Sequence, residues 1–534
     1  MGNQFVPFQD TGRFSSLICD YLSEEKTLQT FYGHSAQLNH FAEQIELKKA
    51  KFPSEHRHVI VDHLKQQYSL LTPTLATQKN IEKLNNENTF TVTTGHQLCL
   101  MTGPLYFIYK IISTINLCRQ LKSAYPQHDF VPVYWMASED HDFEEISTFR
   151  FQDKRIQWPG AGRGAVGERT LEDLQDVLTV FENHLGNRPE SEQVKQWIKS
   201  SYKKSNSLSE ATLKLVDQLF GKQGLVVLEP NAKALKNLFL PQLEDELMHQ
   251  KSYSSVRYQI DKLKSEYDEN YAPQVNPREI NLFYLTPSGR YRIEKKGDVF
   301  VLHGTEQQID RDDFLTILKK HPERFSPNVI LRPVYQEVIL PNLCYIGGGG
   351  ELAYWFQLKS NFERFQVPFP ILLLRNSVVL ISEKEAKKIS KLKLTPEALF
   401  LKRNALINKK IRQISNIDLD LSFLKKQLDE QFSHLEDLVN RTDKSFKGAV
   451  EAQKKKQFKG IEVLEKRLIK AQKRVLADEV HRLVRLHEQL FPDDSLQERE
   501  LNFVTFYLEL GESFFDLLFK NLDPLRKEFI LLEY

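Results

Sequence analysis

Residues 89–121 read TFTVTTGHQLCLMTGPLYFIYKIISTINLCRQL, and the pattern changes twice within them. Thr89 to Thr93 is short, β-branched and aromatic, as a buried strand is. Thr94 to Pro104 is a loop rich in Gly, Thr and Pro, and Leu105 to Leu121 carries the spacing of a long helix. A second apolar strand follows at 130–136 (FVPVYWM) and opens into the polar, acidic segment Ala137 to Glu145. Strand, loop, helix and strand, with polar residues gathered after each strand, is the rhythm of a parallel α/β sheet. Ligands of such sheets sit at the carboxyl ends of the strands.

Working outward, residues 1–88 read as helical, with Leu38, Phe41 and Ile45 at helical spacing. The rhythm breaks after Glu145. Residues 150–220 mix a hairpin-like stretch with helices, and Gly224 to Leu228 returns to the sheet. Residues 254–325 are charged and irregular, with a hairpin expected at Leu282 to Ile293 around the Pro287-Ser288-Gly289 turn. Asn328 to Leu340 and Phe369 to Leu374 are again apolar and strand-like. Together these predict a core over 1–380 with insertions at about 150–222 and 250–325.

Heptads appear beyond residue 381. Leu421, Leu424, Leu428, Leu435 and Leu438 occupy a and d positions, with Gln431 the polar exception. Ile461, Leu464, Leu468, Ala471 and Val475 repeat the pattern. With Arg441 to Ser445 as the turn, an antiparallel helical hairpin or coiled coil is expected within 381–490. Its register shifts near Leu476, Pro492 stops it, and the Phe- and Leu-rich stretch 491–534 is expected to pack back on the body.

A chain of 534 residues calls for two to four compact units. Its net charge of +2 argues against a whole-chain footprint for nucleic acid or a polybasic membrane contact. Cys19, Cys99, Cys118 and Cys344 are too few for a disulfide scaffold and lack zinc spacing, so a reducing, cytoplasmic setting is expected. Met1 to Asp10 has no secretory pattern, and no apolar run approaches the length of a membrane span.

Three segments carry chemistry. The loop after the first strand, Thr94-Gly95-His96-Gln97 with Gly103 and Lys110, offers free backbone N–H groups and close approach to an anion. The plain alternative is an ordinary strand–helix connection. Glu139, Asp140, His141, Asp142, Glu144 and Glu145 crowd the end of the second strand, where they could orient an amine, act as acid or base, or take a divalent cation. An acidic helix start would look the same. Asn328, Arg332 and Gln336 lie on a strand-like stretch leading to Gly347-Gly348-Gly349-Gly350-Glu351, with Tyr354 and Trp355 on the first helical turn. Glycines there suit an amide-lined cradle, or a tight turn under close packing.

Other signals are weaker. Gly162 to Gly167 is a formal GxGxxG, but no buried strand precedes it, so a loop is expected. Residues 444–475 hold eleven basic against three acidic residues, a possible phosphate track that more often is the solvated face of a coiled coil.

TGHQ…TGPLYFIYK, VYWMASEDHDFEE and NVILRP…Q…LP…YIGGGGELAYW, in that order, resemble the cysteine ligase family of bacillithiol synthesis, BshC. The likeness covers nearly the whole chain. It implies a Rossmann-like core with connecting insertions, similar to class I aminoacyl-tRNA synthetases, and a coiled coil that forms a homodimer. It also implies the last step of bacillithiol synthesis, the joining of cysteine to glucosaminyl-malate. No KMSKS-like loop follows the last core strand, where Leu374-Arg375-Asn376-Ser377 stands instead.

Amide formation requires an activated carboxylate, so ATP is the expected activator, with a site that neutralises phosphate and deprotonates an ammonium. Gln97, Asp140, His141, Asp142 and Glu351 are the candidate catalytic residues. Thr94, Gly95, His96, Gly103, Lys110, Asn328, Arg332, Gln336, Gly347, Gly348, Tyr354 and Trp355 are candidates for holding substrate or nucleotide, Arg332 for a carboxylate such as the malate arm. No metal-ligand set is assigned. The rival readings are a nucleic-acid-binding module using the basic hairpin, and a coiled-coil scaffold on a degenerate synthetase-like core. The three segments should line one pocket, because neighbouring parallel strands share a crevice at their carboxyl ends.

Overall fold

The computed structural model describes residues 3–69, 71–160, 164–439, 441–442 and 445–534. Five parallel strands form the central sheet: β1 (Thr89–His96), β2 (Asp129–Met136), β3 (Val226–Leu228), β4 (Asn342–Gly347) and β5 (Ile371–Leu374). Their spatial order is β3-β2-β1-β4-β5. β1 and β2 run in register from Thr89 opposite Asp129 to His96 opposite Met136. Every residue of β1 is buried, which is why its sequence shows a continuous run instead of a polar face. Helix α1 (Tyr106–Ala124) follows β1, packs on β1 and β2, and is apolar almost all round because it is buried almost all round.

The stretch Asn328 to Leu340 is not a strand. Asn328 turns the chain by accepting from Ile330 N at 2.9 Å, and residues Arg332–Ile339 form helix α2. The core strand comes later, at β4. Residues 333–339 are all buried, so no polar face marks the helical period, and Val334, Val338 and Ile339 imitate a strand. Pro333 stands in the first turn, where a missing N–H costs nothing. β4 then feeds a glycine turn into the short helix α3 (Gly349–Trp355).

The insertions carry their own sheets. The first contains the hairpin Thr148–Phe151 with Lys154–Gln157. The second is a five-stranded antiparallel sheet in which Leu282–Thr286 and Gly289–Lys296 pair across the expected turn, Thr286 opposite Gly289. Of the GxGxxG stretch, Gly162 and Arg163 lie outside the described residues. Gly167 is pressed against Ser138 and Ser209, a packing role. Within residues 1–88, otherwise helical, a strand at Gln4–Pro7 pairs antiparallel with Glu528–Glu533. That strand also runs parallel to Val378–Ile381.

The hairpin consists of α4 (Ser422–Val439) and α5 (Ser445–Val475). Asp443 and Lys444 of the expected turn lie outside the described residues. The helices are as expected, but the seam is not. Leu428, Phe432 and Val450 form its buried core, with Leu435, Val439, Phe458 and Ile461 packed around them. Gln431 and Leu438 face outward, because the hairpin contacts at 428 and 432, and again at 435 and 439, step by four residues and rotate the stripe by one position. On α5, Leu464, Ala471 and Val475 are exposed as well. The helix breaks at Leu476 before Ala477–Leu490. No helix among the described residues is long and apolar enough to cross a membrane.

Candidate active site

Strand order reverses between β1 and β4, so the loops leaving these two strands part in opposite directions and open a crevice above the sheet. A cleft of about 830 Å³ lies there, lined by all three segments singled out above. Gly95, His96 and Gln97 come from the end of β1, Glu139, Asp140 and Glu145 from beyond β2, and Gly348 to Glu351 from beyond β4.

One wall is built on cations. Lys110 reaches up from α1, donates to Gly95 O at 2.8 Å and lies 2.5 Å from Glu351 Oε1. Glu351 also accepts from Tyr345 Oη at 2.7 Å and from Gly348 N at 3.0 Å. Burial opposes its charge, but the attraction of Lys110 and these hydrogen bonds outweigh it and bring the carboxyl down to about 2. Arg332, at the start of α2, donates to Gln336 Oε1 at 3.2 Å and to Tyr354 Oη at 3.4 Å. No carboxylate of the described residues pairs with it. His96 is buried against Tyr106 and Phe107, and burial together with the charge of Lys110 lowers its pKa to about 3. The imidazole is neutral.

The opposite wall is acidic. Gln97 Nε2 donates to Asp140 Oδ2 at 3.0 Å and Glu145 Oε2 at 2.8 Å, using both amide hydrogens to hold two carboxylates together. Arg290, from the antiparallel insertion, lies 3.4 Å from Asp140 Oδ1 and donates to Ser326 Oγ at 3.1 Å. Burial works against the Asp140 charge, but hydrogen bonds from His141 and Gln97 and the charge of Arg290 prevail, and the carboxyl is held well below the usual range. Glu139 is tied off behind it by Lys236 at 2.5 Å and Ser326 Oγ at 2.8 Å.

Ten of the seventeen sequence candidates line the cleft: Gly95, His96, Gln97, Lys110, Asp140, Asn328, Arg332, Gly348, Glu351 and Tyr354. The others stand behind it. Thr94 Oγ1 donates to Ile346 O, Gly347 O accepts from Arg375 N, and Gln336 donates to the buried Glu337. Trp355 stacks under Tyr345 with centroids 4.6 Å apart. Gly103 turns the loop with φ +66°, where a Cβ would meet Cys99 Cβ at 2.7 Å. His141 and Asp142 lie at the exposed edge, Asp142 capping a short helix through Glu145 N. Sequence reasoning missed Arg290 and Arg499, which line the cleft from distant segments with no motif around them, and did not count Arg375, directly after β5, as a site residue. Among the described residues, no three His, Cys, Asp or Glu side chains converge as a metal site.

Residues 1–376 match the model of the bacillithiol biosynthesis BshC N-terminal Rossmann-like domain, and residues 378–534 match that of the BshC C-terminal coiled-coil domain. The chain belongs to the BshC family. It is 49% identical to a relative from Christiangramia forsetii over 100% of this chain and 99% of that one. A Flavobacterium johnsoniae relative is 47% identical over 99% of each chain. Both relatives bear the name "Putative cysteine ligase BshC". A solved Campylobacter jejuni chain named as an arginyl-tRNA synthetase aligns with 85% of this chain and 99% of its own at 13% identity and a TM-score of 0.19, too weak to bear on this BshC-family fold or its chemistry.

Proposed function

We propose that this chain is a ligase joining the carboxylate of cysteine to the amine of glucosaminyl-malate, the last step of bacillithiol synthesis. The observation that carries the reading is the charge separation within one cleft. Around Gly348 to Glu351 the cations outnumber the carboxylates, whereas at Gln97 the pair Asp140 and Glu145 faces a single guanidinium. A carboxylate or phosphate suits the first end and an ammonium the second.

In this reading ATP activates the carboxylate, as an acyl-adenylate with release of pyrophosphate or as an acyl phosphate with release of ADP. The amine then attacks the acyl carbon, and AMP or phosphate leaves as the amide forms. Glu145, the freer of the two paired carboxylates, takes the proton lost by the amine, while Asp140 stays ionised and holds the ammonium beforehand. His141 and Asp142 shape the edge of that pocket. Arg332 holds the carboxylate of the malate arm. A divalent cation enters with the nucleotide, since Mg²⁺ is commonly held by substrate phosphates and one or two carboxylates. The four free cysteines fit a cytoplasmic enzyme. The outward stripe Leu464, Ala471 and Val475 on α5 fits a homodimer through the hairpin.

Thiol profiling of a deletion strain tests the reaction. Bacillithiol should disappear and glucosaminyl-malate accumulate. An unchanged bacillithiol pool without that accumulation removes the ligase reading.

A further inference from the structure

Three cations of the cleft have a carboxylate, Lys110 with Glu351, Arg290 with Asp140 and Arg375 with Glu498, whereas Arg332 has none among the described residues. Arg375 is 4% exposed, and its guanidinium is almost fully used. Nη1 donates to Asn376 O at 2.9 Å and Ser377 Oγ at 3.1 Å, and Nη2 donates to Glu498 Oε1 at 2.8 Å. Nε is the exception. It is buried and has no acceptor among the described residues. It lies beside the glycine turn, where a Cβ on Gly348 would sit 3.9 Å from it. A Cβ on Gly350 would meet nothing within 4 Å, so the backbone is open to the cleft there. Arg499 enters the same cleft, exposed and with no carboxylate partner among the described residues.

A buried donor left unmade is costly, and an acceptor entering the cleft, whether a ligand or the water it displaces, satisfies it. The chemistry of that acceptor follows from the geometry. Three of the four Nη hydrogens are committed, so Arg375 offers a ligand Nε–H and at most the one remaining Nη2 hydrogen. These donors stand beside a second, adjustable guanidinium and an open backbone turn. Donors converging from Arg375, Arg499 and the backbone turn, in different directions, suit a tetrahedral oxyanion.

We propose that Arg375 Nε, Arg499 and the Gly348–Gly350 turn form the subsite for the phosphoryl group of the activating compound. This rests on the ligase reading and goes beyond it, because Arg499 and the Glu498 that fixes Arg375 both come from the C-terminal region. That region thereby completes a site otherwise built by the Rossmann-like one.

Calorimetry on the full chain tests this, with a non-hydrolysable ATP analogue, acetyl phosphate and L-malate as probes. Arg499→Gln removes an exposed charge. Arg375→Lys keeps a partner for Glu498 but loses Nε–H. Lys466→Gln, on the coiled coil, is the control. Each cleft variant should weaken the phosphate probe at least tenfold, with malate within twofold and the control unchanged. Weakening of the ATP analogue identifies a nucleotide as the source, and weakening of acetyl phosphate alone identifies an acyl phosphate. Absence of phosphate-probe binding to the wild type, or wild-type affinity in Arg499→Gln, overturns the subsite. Arg499→Gln decides the matter alone if Arg375→Lys does not fold. Unaltered phosphate binding in a protein whose deletion abolishes bacillithiol removes the subsite and keeps the ligase reading. Weakened binding with bacillithiol intact in the deletion strain does the reverse.

Discussion

Lys110 Nζ and Glu351 Oε1 lie 2.5 Å apart, joining the helix after β1 to the glycine turn after β4 across the point where strand order reverses. The Lys110 side chain is 2% exposed, so its charge depends on that carboxylate. Glu351→Gln leaves a buried ammonium without its counter-charge and should cost about 3–5 kcal/mol at neutral pH. Glu351 has its pKa depressed from 4.5 to about 2 in the fold. Its stabilising effect is therefore fully present above about 4.5 and is lost as pH falls towards 2. Denaturant titrations should show the gap between wild type and Glu351→Gln closing over that window. A gap independent of pH would mean that packing, not charge, is what the substitution removes.

His96 should play no part in proton transfer. With its pKa lowered to about 3 by burial and by Lys110, it does not titrate between pH 5 and 8. His96→Gln is expected to leave the shape of the pH–activity profile unmoved over that range, whatever it does to the rate. Loss of a limb near pH 6–7 would show that the imidazole titrates during turnover.

The hairpin has one seam facing in and one facing out, and they should respond differently. Phe432 is 4% exposed within the small hairpin core, so Phe432→Ala should destabilise the hairpin by about 3–5 kcal/mol. Leu464 is 56% and Val475 75% exposed, so replacing both with Glu should leave the melting temperature nearly unchanged. If the outward stripe is the two-fold contact, sedimentation velocity will show the double variant as a monomer. A variant that still dimerises places the contact elsewhere.

The parts of the fold that could be read from sequence are those whose pattern is local. β1 and β2 declare themselves by β-branched and aromatic runs ending in polar loops, and the Pro287-Ser288 turn by its composition. α2 hides because burial on every side erases the helical period. On α4 the eye follows the leucines to Leu438, while the chain follows a four-residue step through Phe432. In the cleft, the loop residues were legible because each follows a strand. Arg290 and Arg499 were not, since only tertiary folding carries them to a site that lies more than a hundred residues away from either along β1 and β2.

The loop between β1 and α1 holds Met101 and Thr102 at positive φ, 49° and 67°, a conformation few side chains adopt unaided. Asn502 Nδ2 clamps it by donating to Met101 O at 2.8 Å and Gly103 O at 2.6 Å. The seam at which the two family regions meet, near residue 377, is therefore bridged by side chains of the second region that hold the first in shape. Asn502 travels with the second region but serves the first, as does Glu498 beneath Arg375. Chimaeras that exchange the halves of two BshC-family chains at that seam should succeed only when these partners match.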